Sequence, residues 1–215
     1  MSRSVTERIG ASTRTGIASR PLLAWRTIDL ITAALVGVTM GVVFWGWNIA
    51  YEVMSAPFTA GFAPLVGLFG GTWLLAGVLG GLIVRRPGAA LFAEVLAATV
   101  SALLGNQWGW LVLVSGLLQG LGAELVFALF RYRRFTIVVA MLAGAMAAVF
   151  EMFYEWNYYW SGFDVTWKLT YLGAFMLSGA VIAGIGGTLL TRALARTGAL
   201  NAMPPGREAH QRRPV

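Results

Sequence analysis

Leu79-Gly80-Gly81-Leu82-Ile83-Val84-Arg85-Arg86-Pro87-Gly88-Ala89-Ala90-Leu91-Phe92 is the stretch whose reading decides the fold. A wholly apolar run stops at a pair of arginines, and another apolar run begins a few residues later. The first extends back to residue 62 and the second forward to residue 105. At about 1.5 Å per residue each crosses, or nearly crosses, a hydrocarbon layer about 30 Å thick. The arginines then mark a short basic turn at the membrane boundary between two spans.

Working outward, four more runs of this kind follow the same logic, and the six are predicted at 27–48, 62–84, 88–105, 108–130, 135–153 and 168–194. The turns test the count. With both chain ends, the Arg85/Arg86 turn and the Arg131/Arg133/Arg134 turn on one side, that side holds every arginine, and the other keeps only Lys168. This is the positive-inside pattern, and a wrong count would scramble it. The reading is an all-α membrane protein, a bundle of six transmembrane helices in a bacterial inner membrane with both termini cytoplasmic. Residues 1–25 are read as a flexible basic tail, 26–196 as the membrane domain and 197–215 as a cytoplasmic C-terminal tail.

Composition agrees and removes several function classes. The 215 residues are 58% hydrophobic and 12% charged, with a mean hydropathy of +0.71. That is too apolar for an ordinary soluble domain. The net charge of +7 sits in short turns and tails without interleaved aromatic rings, so it argues for topology and against nucleic-acid binding. There is no cysteine, and the one histidine is His210 in a Pro/Arg-rich tail. A zinc site or a histidine-based triad therefore cannot be assembled, and no metal or other cofactor is expected. No P-loop motif is present, so any ATP chemistry belongs to a partner.

The outer boundary is rich in rings, amides and acids. Trp45, Trp47, Asn48 and Tyr51 end the first run, and Asn106, Gln107, Trp108 and Trp110 form the third turn. Glu151, Tyr154, Glu155, Trp156, Asn157, Tyr158, Tyr159, Trp160 and Trp167 cluster around the fifth turn. An aromatic belt at the lipid headgroups accounts for many of the rings but does not call for carboxylates among them. Aromatic faces and acids together suit a cationic or amine-bearing heterocycle, with Asn and Gln fixing its orientation. The candidate ligand contacts are Trp45, Asn48, Asn106, Trp108, Gln119, Glu151, Tyr154, Glu155, Trp156 and Asn157.

Two acids fall inside the runs. Glu94 lies eight residues past Arg86 and Glu124 seven before Arg131, which places both about 10 to 12 Å from the inner boundary. Each is read as a ligand or proton site or as an inter-helix hydrogen bond. Gln119 points about 140° away from Glu124 and serves a different neighbour. Ala33, Gly37 and Gly41 recur every four residues on the first run, either as a packing seam within the bundle or as a docking face for another subunit.

Residues Arg85-Arg86-Pro87-Gly88-Ala89-Ala90-Leu91, then Glu94, Leu104-Gly105-Asn106, Gly109 and Gln119-Gly120-Leu121-Gly122-Ala123-Glu124-Leu125-Val126-Phe127 resemble the YkoE family, as does Thr197-Gly198-Ala199-Leu200-Asn201. Those proteins are substrate-binding (S) components of energy-coupling factor transporters, and the resemblance runs from about residue 25 to 208. It implies a six-helix S component that captures thiamine or its hydroxymethylpyrimidine precursor from outside. It also implies partners, a transmembrane coupling subunit and cytoplasmic ATPases, with Ala33, Gly37 and Gly41 matching by position the residues that dock on the coupling subunit. The rival readings are a ligand-free structural subunit and an intramembrane enzyme using Glu94 and Glu124 as an acid/base pair.

Overall fold

The computed structural model describes residues 23–211, and every regular element among them is helical. The elements are α1 (Thr27–Phe62), a 3-10 segment (Ala63–Thr72), α2 (Leu75–Val84), α3 (Ala89–Leu104), a 3-10 turn (Gly109–Leu111), α4 (Val112–Leu129), α5 (Ile137–Tyr158), α6 (Val165–Ser178), a π-helical segment (Gly179–Gly186), α7 (Gly187–Thr197) and α8 (Pro204–Gln211). Four stretches are long and apolar enough to cross a membrane, Thr27–Val84, Gly109–Leu129, Ile137–Tyr158 and Val165–Thr197, and Ala89–Leu104 is a shorter apolar helix.

The first two expected runs take an unexpected form. α1 continues fourteen residues past Asn48, through Pro57, because helical hydrogen bonding does not stop where hydropathy falls. At 36 residues it is about 54 Å long, well beyond a bilayer core. The second run is not one helix. Pro64, Gly67, Gly70 and Gly71 disfavour an α-helix, so residues 63–72 wind as 3-10, and α2 starts only at Leu75.

That late start puts an end of a helix inside the bundle. Nine of the ten residues of α2 are buried, between one apolar cluster built with α4, α5 and α6 and another built with α1, α3 and the C-terminal segment. Its first N–H groups have no intrahelical acceptors and must find partners on other elements.

The small-residue stripe of α1 is spent on α3. Ala33 is fully buried, and a Cβ on Gly37 would meet Leu96 Cβ at 2.9 Å and one on Gly41 would meet Val100 Cβ at 2.5 Å. The contacts are those of a packing seam within the bundle, with Ala33, Gly37 and Gly41 buried in the single chain. The π-helical segment crosses α5 with equal closeness: a Cβ on Gly144 would lie 2.1 Å from the Gly179 carbonyl oxygen.

The arginine-bearing end is tied by polar contacts. Asp29 is buried and pairs with Arg26 at 2.5 Å and Arg86 at 3.7 Å, joining the start of α1 to the α2–α3 turn. Trp25 Nε1 donates to the Pro87 carbonyl at 3.1 Å. The C-terminal segment expected as a tail is folded as far as Gln211. Leu200 and Met203 are buried, Glu208 pairs with Arg85, and His210 Nδ1 lies 3.1 Å from the Gly206 carbonyl oxygen within α8. Most of the expected N-terminal tail, residues 1–22, lies outside the described residues.

Candidate functional site

Six of these elements, α1, the 3-10 segment at residues 63–72, α3, α4, α5 and α6, converge at the end opposite the arginines around a cavity of about 290 Å³. The extension of α1 delivers Tyr51, the break before α2 delivers Trp73, and the α3–α4 turn delivers Trp108. These three rings form one wall, with Tyr51 and Trp73 centroids 5.0 Å apart, Trp73 and Trp108 5.4 Å apart and Tyr51 and Trp108 5.9 Å apart. The facing wall is Trp160, Tyr171 and Phe175, with 5.0 Å between the first two rings and 5.8 Å between the last two.

Three carboxyl groups line the space between the walls: Glu94 from α3 and Glu151 and Glu155 from α5. The two on α5 are four residues apart, one turn, and so face the same way. Glu94 Oε2 accepts the Gly77 N–H at 2.5 Å, closing one of the open donors at the start of α2. Its other oxygen has no partner, and neither do Glu151 Oε2, Glu155 Oε2 or Trp160 Nε1. Ser115 and Gln119 of α4 adjoin the Glu151 carboxyl, and Tyr171 and Trp160 adjoin that of Glu155, the indole without reaching hydrogen-bond geometry. At the rim beyond α5, burial and the neighbouring Tyr154 hydroxyl push the Tyr159 phenol up from its ordinary range.

A buried polar atom without a partner costs free energy, on the order of 1 to 3 kcal/mol. Four of them on one cavity lined by aromatic rings have the chemistry to meet a flat group carrying donors and positive charge.

Of the residues read from sequence as ligand contacts, Trp108, Gln119, Glu151 and Glu155 line the cavity. Asn48 is buried one layer behind it. Its amide donates to Ser101 Oγ at 3.2 Å and accepts from Trp73 Nε1 at 2.8 Å, so it holds the wall instead of facing the space. Asn106 Oδ1 accepts the Trp108 N–H at 2.9 Å and shapes that turn. Trp45 is 38% exposed on the outward face of α1. Tyr154 stacks on Tyr158 at 5.2 Å, Trp156 packs on the core, and the exposed Asn157 donates to the Phe153 carbonyl. None of these four lines the cavity.

The two intramembrane acids separate. Glu94 faces the cavity, whereas Glu124 accepts from the backbone N–H groups of Gly88 at 2.7 Å, Ala90 at 2.9 Å and Leu91 at 3.3 Å and from Tyr132 Oη at 2.6 Å. Glu124 thus closes the start of α3 at the basic turn, because that turn offers it three open N–H donors. The two share no hydrogen bond, Glu94 bonding the start of α2 and Glu124 the start of α3. An acid/base pair built on these two has no geometric basis. Among the lining residues that sequence reasoning missed are Trp73, Tyr171, Phe175 and Ser115; the proline and glycines before Trp73 were the signal that the helix breaks there.

Comparison with known proteins now has a site to explain. Residues 28–150 match a family model described as the permease component of an ABC-type cobalt transport system. A protein of Bacillus subtilis strain 168, described as the putative HMP/thiamine permease protein YkoE, is 32% identical over 192 residues, 88% of this chain and 94% of that one. The chain belongs to the YkoE family. A crystal structure of an S component of an energy-coupling factor transporter superimposes with a TM-score of 0.82 at 32% identity, covering 87% of this chain and 94% of that one. The architecture is that of an S component, a membrane transport subunit. Its acid-lined cavity sits at the break that makes α2 short, so the irregular backbone of this S component and its candidate site are one feature.

Proposed function

We propose that this S component captures thiamine or its hydroxymethylpyrimidine precursor in the cavity, from the outer face of a bacterial cell membrane. The single observation that carries the reading is the set of four buried, unpartnered polar atoms, on Glu94, Glu151, Glu155 and Trp160, that line a space flanked by aromatic rings. Carboxylates accept from an exocyclic amine and attract a thiazolium cation, and the rings stack on both heterocycles. The name of the Bacillus relative supports the ligand class. The cobalt in the family model's description fits this cavity less well: among the described residues no three His, Cys, Asp or Glu side chains are grouped to hold a metal ion.

The same reading sets the chain in the membrane with six crossings, α1, the 3-10 segment with α2, α3, α4, α5, and α6 continued through the π-helical segment into α7. Both termini are cytoplasmic and the cavity end faces outward, as the arginine distribution supports. Transport then depends on a transmembrane coupling subunit and cytoplasmic ATPases, because the chain carries no P-loop of its own. Titration of the purified protein with labelled thiamine tests the reading. Saturable binding is expected; failure of both thiamine and hydroxymethylpyrimidine to bind sinks it.

A further inference from the structure

We infer that the cavity admits the unphosphorylated ligand and rejects its phosphate esters. The inference rests on the capture reading and adds the chemical form of what is captured.

The charged side chains of the lining are Glu94, Glu151 and Glu155, and no arginine, lysine or histidine is among the lining residues. Lys168, the one lysine of the chain, is not in the lining either. The acids stand on two sides and at two levels: Glu94 comes from α3, and Glu151 and Glu155 are separated by one turn of α5, about 6 Å along its axis. A phosphoryl group drawn into this space meets carboxyl groups and no cationic side chain among the lining residues.

A phosphate taken out of water needs cationic partners or a set of converging backbone N–H groups. The Gly77 N–H near the start of α2 is already held by Glu94. What remains is neutral: the Trp160 indole, the Ser115 hydroxyl and the phenols of Tyr51, Tyr159 and Tyr171. These can hold a hydroxyl end but cannot balance two negative charges beside three acids. Phosphate esters outside the cell must therefore pass through a phosphomonoester hydrolysis before this chain can capture them.

The test is a pair of titrations on the purified full-length chain, thiamine against thiamine monophosphate, with hydroxymethylpyrimidine and its phosphate as the pair if thiamine itself does not bind. The monophosphate is expected to bind about tenfold or more weaker than the alcohol. Glu151→Gln and Glu155→Gln, which remove charge at nearly constant shape, are expected to narrow that ratio. A wild-type ratio below about tenfold overturns the inference and leaves the capture reading standing. So does a large ratio that stays unchanged in every glutamine variant, because the acids are then not its cause. If a variant fails to fold, the wild-type ratio decides. If neither alcohol binds, the capture reading fails and the inference falls with it.

Discussion

Glu94 and Gly77 are joined by a 2.5 Å hydrogen bond in which a carboxylate on the third helix closes the start of the second. The same side chain lines the cavity with its other oxygen, so structure and ligand contact meet in one residue. The two roles separate by substitution. Glu94→Gln keeps an acceptor for Gly77 and is expected to leave thermal unfolding in detergent near wild type while weakening ligand binding. Glu94→Ala strands a buried N–H and is expected to cost about 1 to 3 kcal/mol in addition. Equal unfolding temperatures for the two variants contradict this division.

Glu124 and Tyr132 act only on the scaffold. Tyr132→Phe removes one of four hydrogen bonds to the carboxylate and is expected to cost about 1 to 2 kcal/mol, and Glu124→Ala more, with ligand affinity unchanged in both. Burial, then the Glu124 carboxylate, pushes the Tyr132 phenol above its ordinary range. The folded protein therefore keeps a proton that the unfolded chain releases above about pH 10, so this contribution is intact below that pH and declines as pH rises further. Unfolding temperature in alkaline buffers is expected to fall more steeply for wild type than for Tyr132→Phe.

The α1–α3 seam predicts destabilisation without any partner present. An added methyl at Gly41 meets Val100 Cβ at 2.5 Å and the Ala97 carbonyl oxygen at 2.8 Å, so Gly41→Ala forces the helices apart at a cost of about 1 to 3 kcal/mol. Gly37→Ala, with nearest contacts of 2.9 and 3.0 Å, is expected to cost less. Wild-type unfolding temperature in both, measured on the isolated protein, would falsify the seam.

Asn48 and Trp45 sit three residues apart in sequence and differ in consequence. Asn48→Ala frees Trp73 in the cavity wall and is expected to weaken binding about fivefold, the equivalent of about 1 kcal/mol. Trp45→Ala, on the lipid-facing side, is expected to leave binding unchanged. Fluorescence titrations of the two variants decide it.

Because the chain has no cysteine, single-cysteine variants report topology without background. Glu52→Cys and Gly162→Cys are expected to react with a membrane-impermeant maleimide on intact cells, and Arg133→Cys only after permeabilisation. Reversal of that pattern inverts the proposed orientation.

The membrane class, the helical class and the family were legible because lipid imposes long apolar runs and arginine marks one boundary. Glu151, Glu155, Trp108 and Gln119 were legible as well, being polar or aromatic residues where a belt alone does not require them. Glu94 was legible as an intramembrane acid with two readings, ligand site or inter-helix hydrogen bond, and sequence alone does not choose between them. Its placement depends on where α2 begins, and hydropathy, which scores residues 62–84 as one run, is blind to a change from 3-10 to α winding. Asn48 and Asn106 are amides whose contacts hydropathy does not decide, Asn48 bonding Ser101 and Trp73 and Asn106 meeting the Trp108 N–H through Oδ1 alone. An amide near a cavity satisfies either the ligand or the wall, and only three-dimensional hydrogen bonding tells which. The stripe on α1 was ambiguous in principle, since small residues let any helix approach, whether from the same chain or another.

The early break before α2 has an electrical consequence. A helix presents partial positive charge at its N-terminal pole, roughly half an elementary charge, and the pole of α2 lies at Leu75, beside the cavity. Glu94 masks it. One carboxyl group on a neighbouring helix thus offsets the pull this pole would exert on anions, and leaves the field that an incoming molecule meets to the other two acids, Glu151 and Glu155.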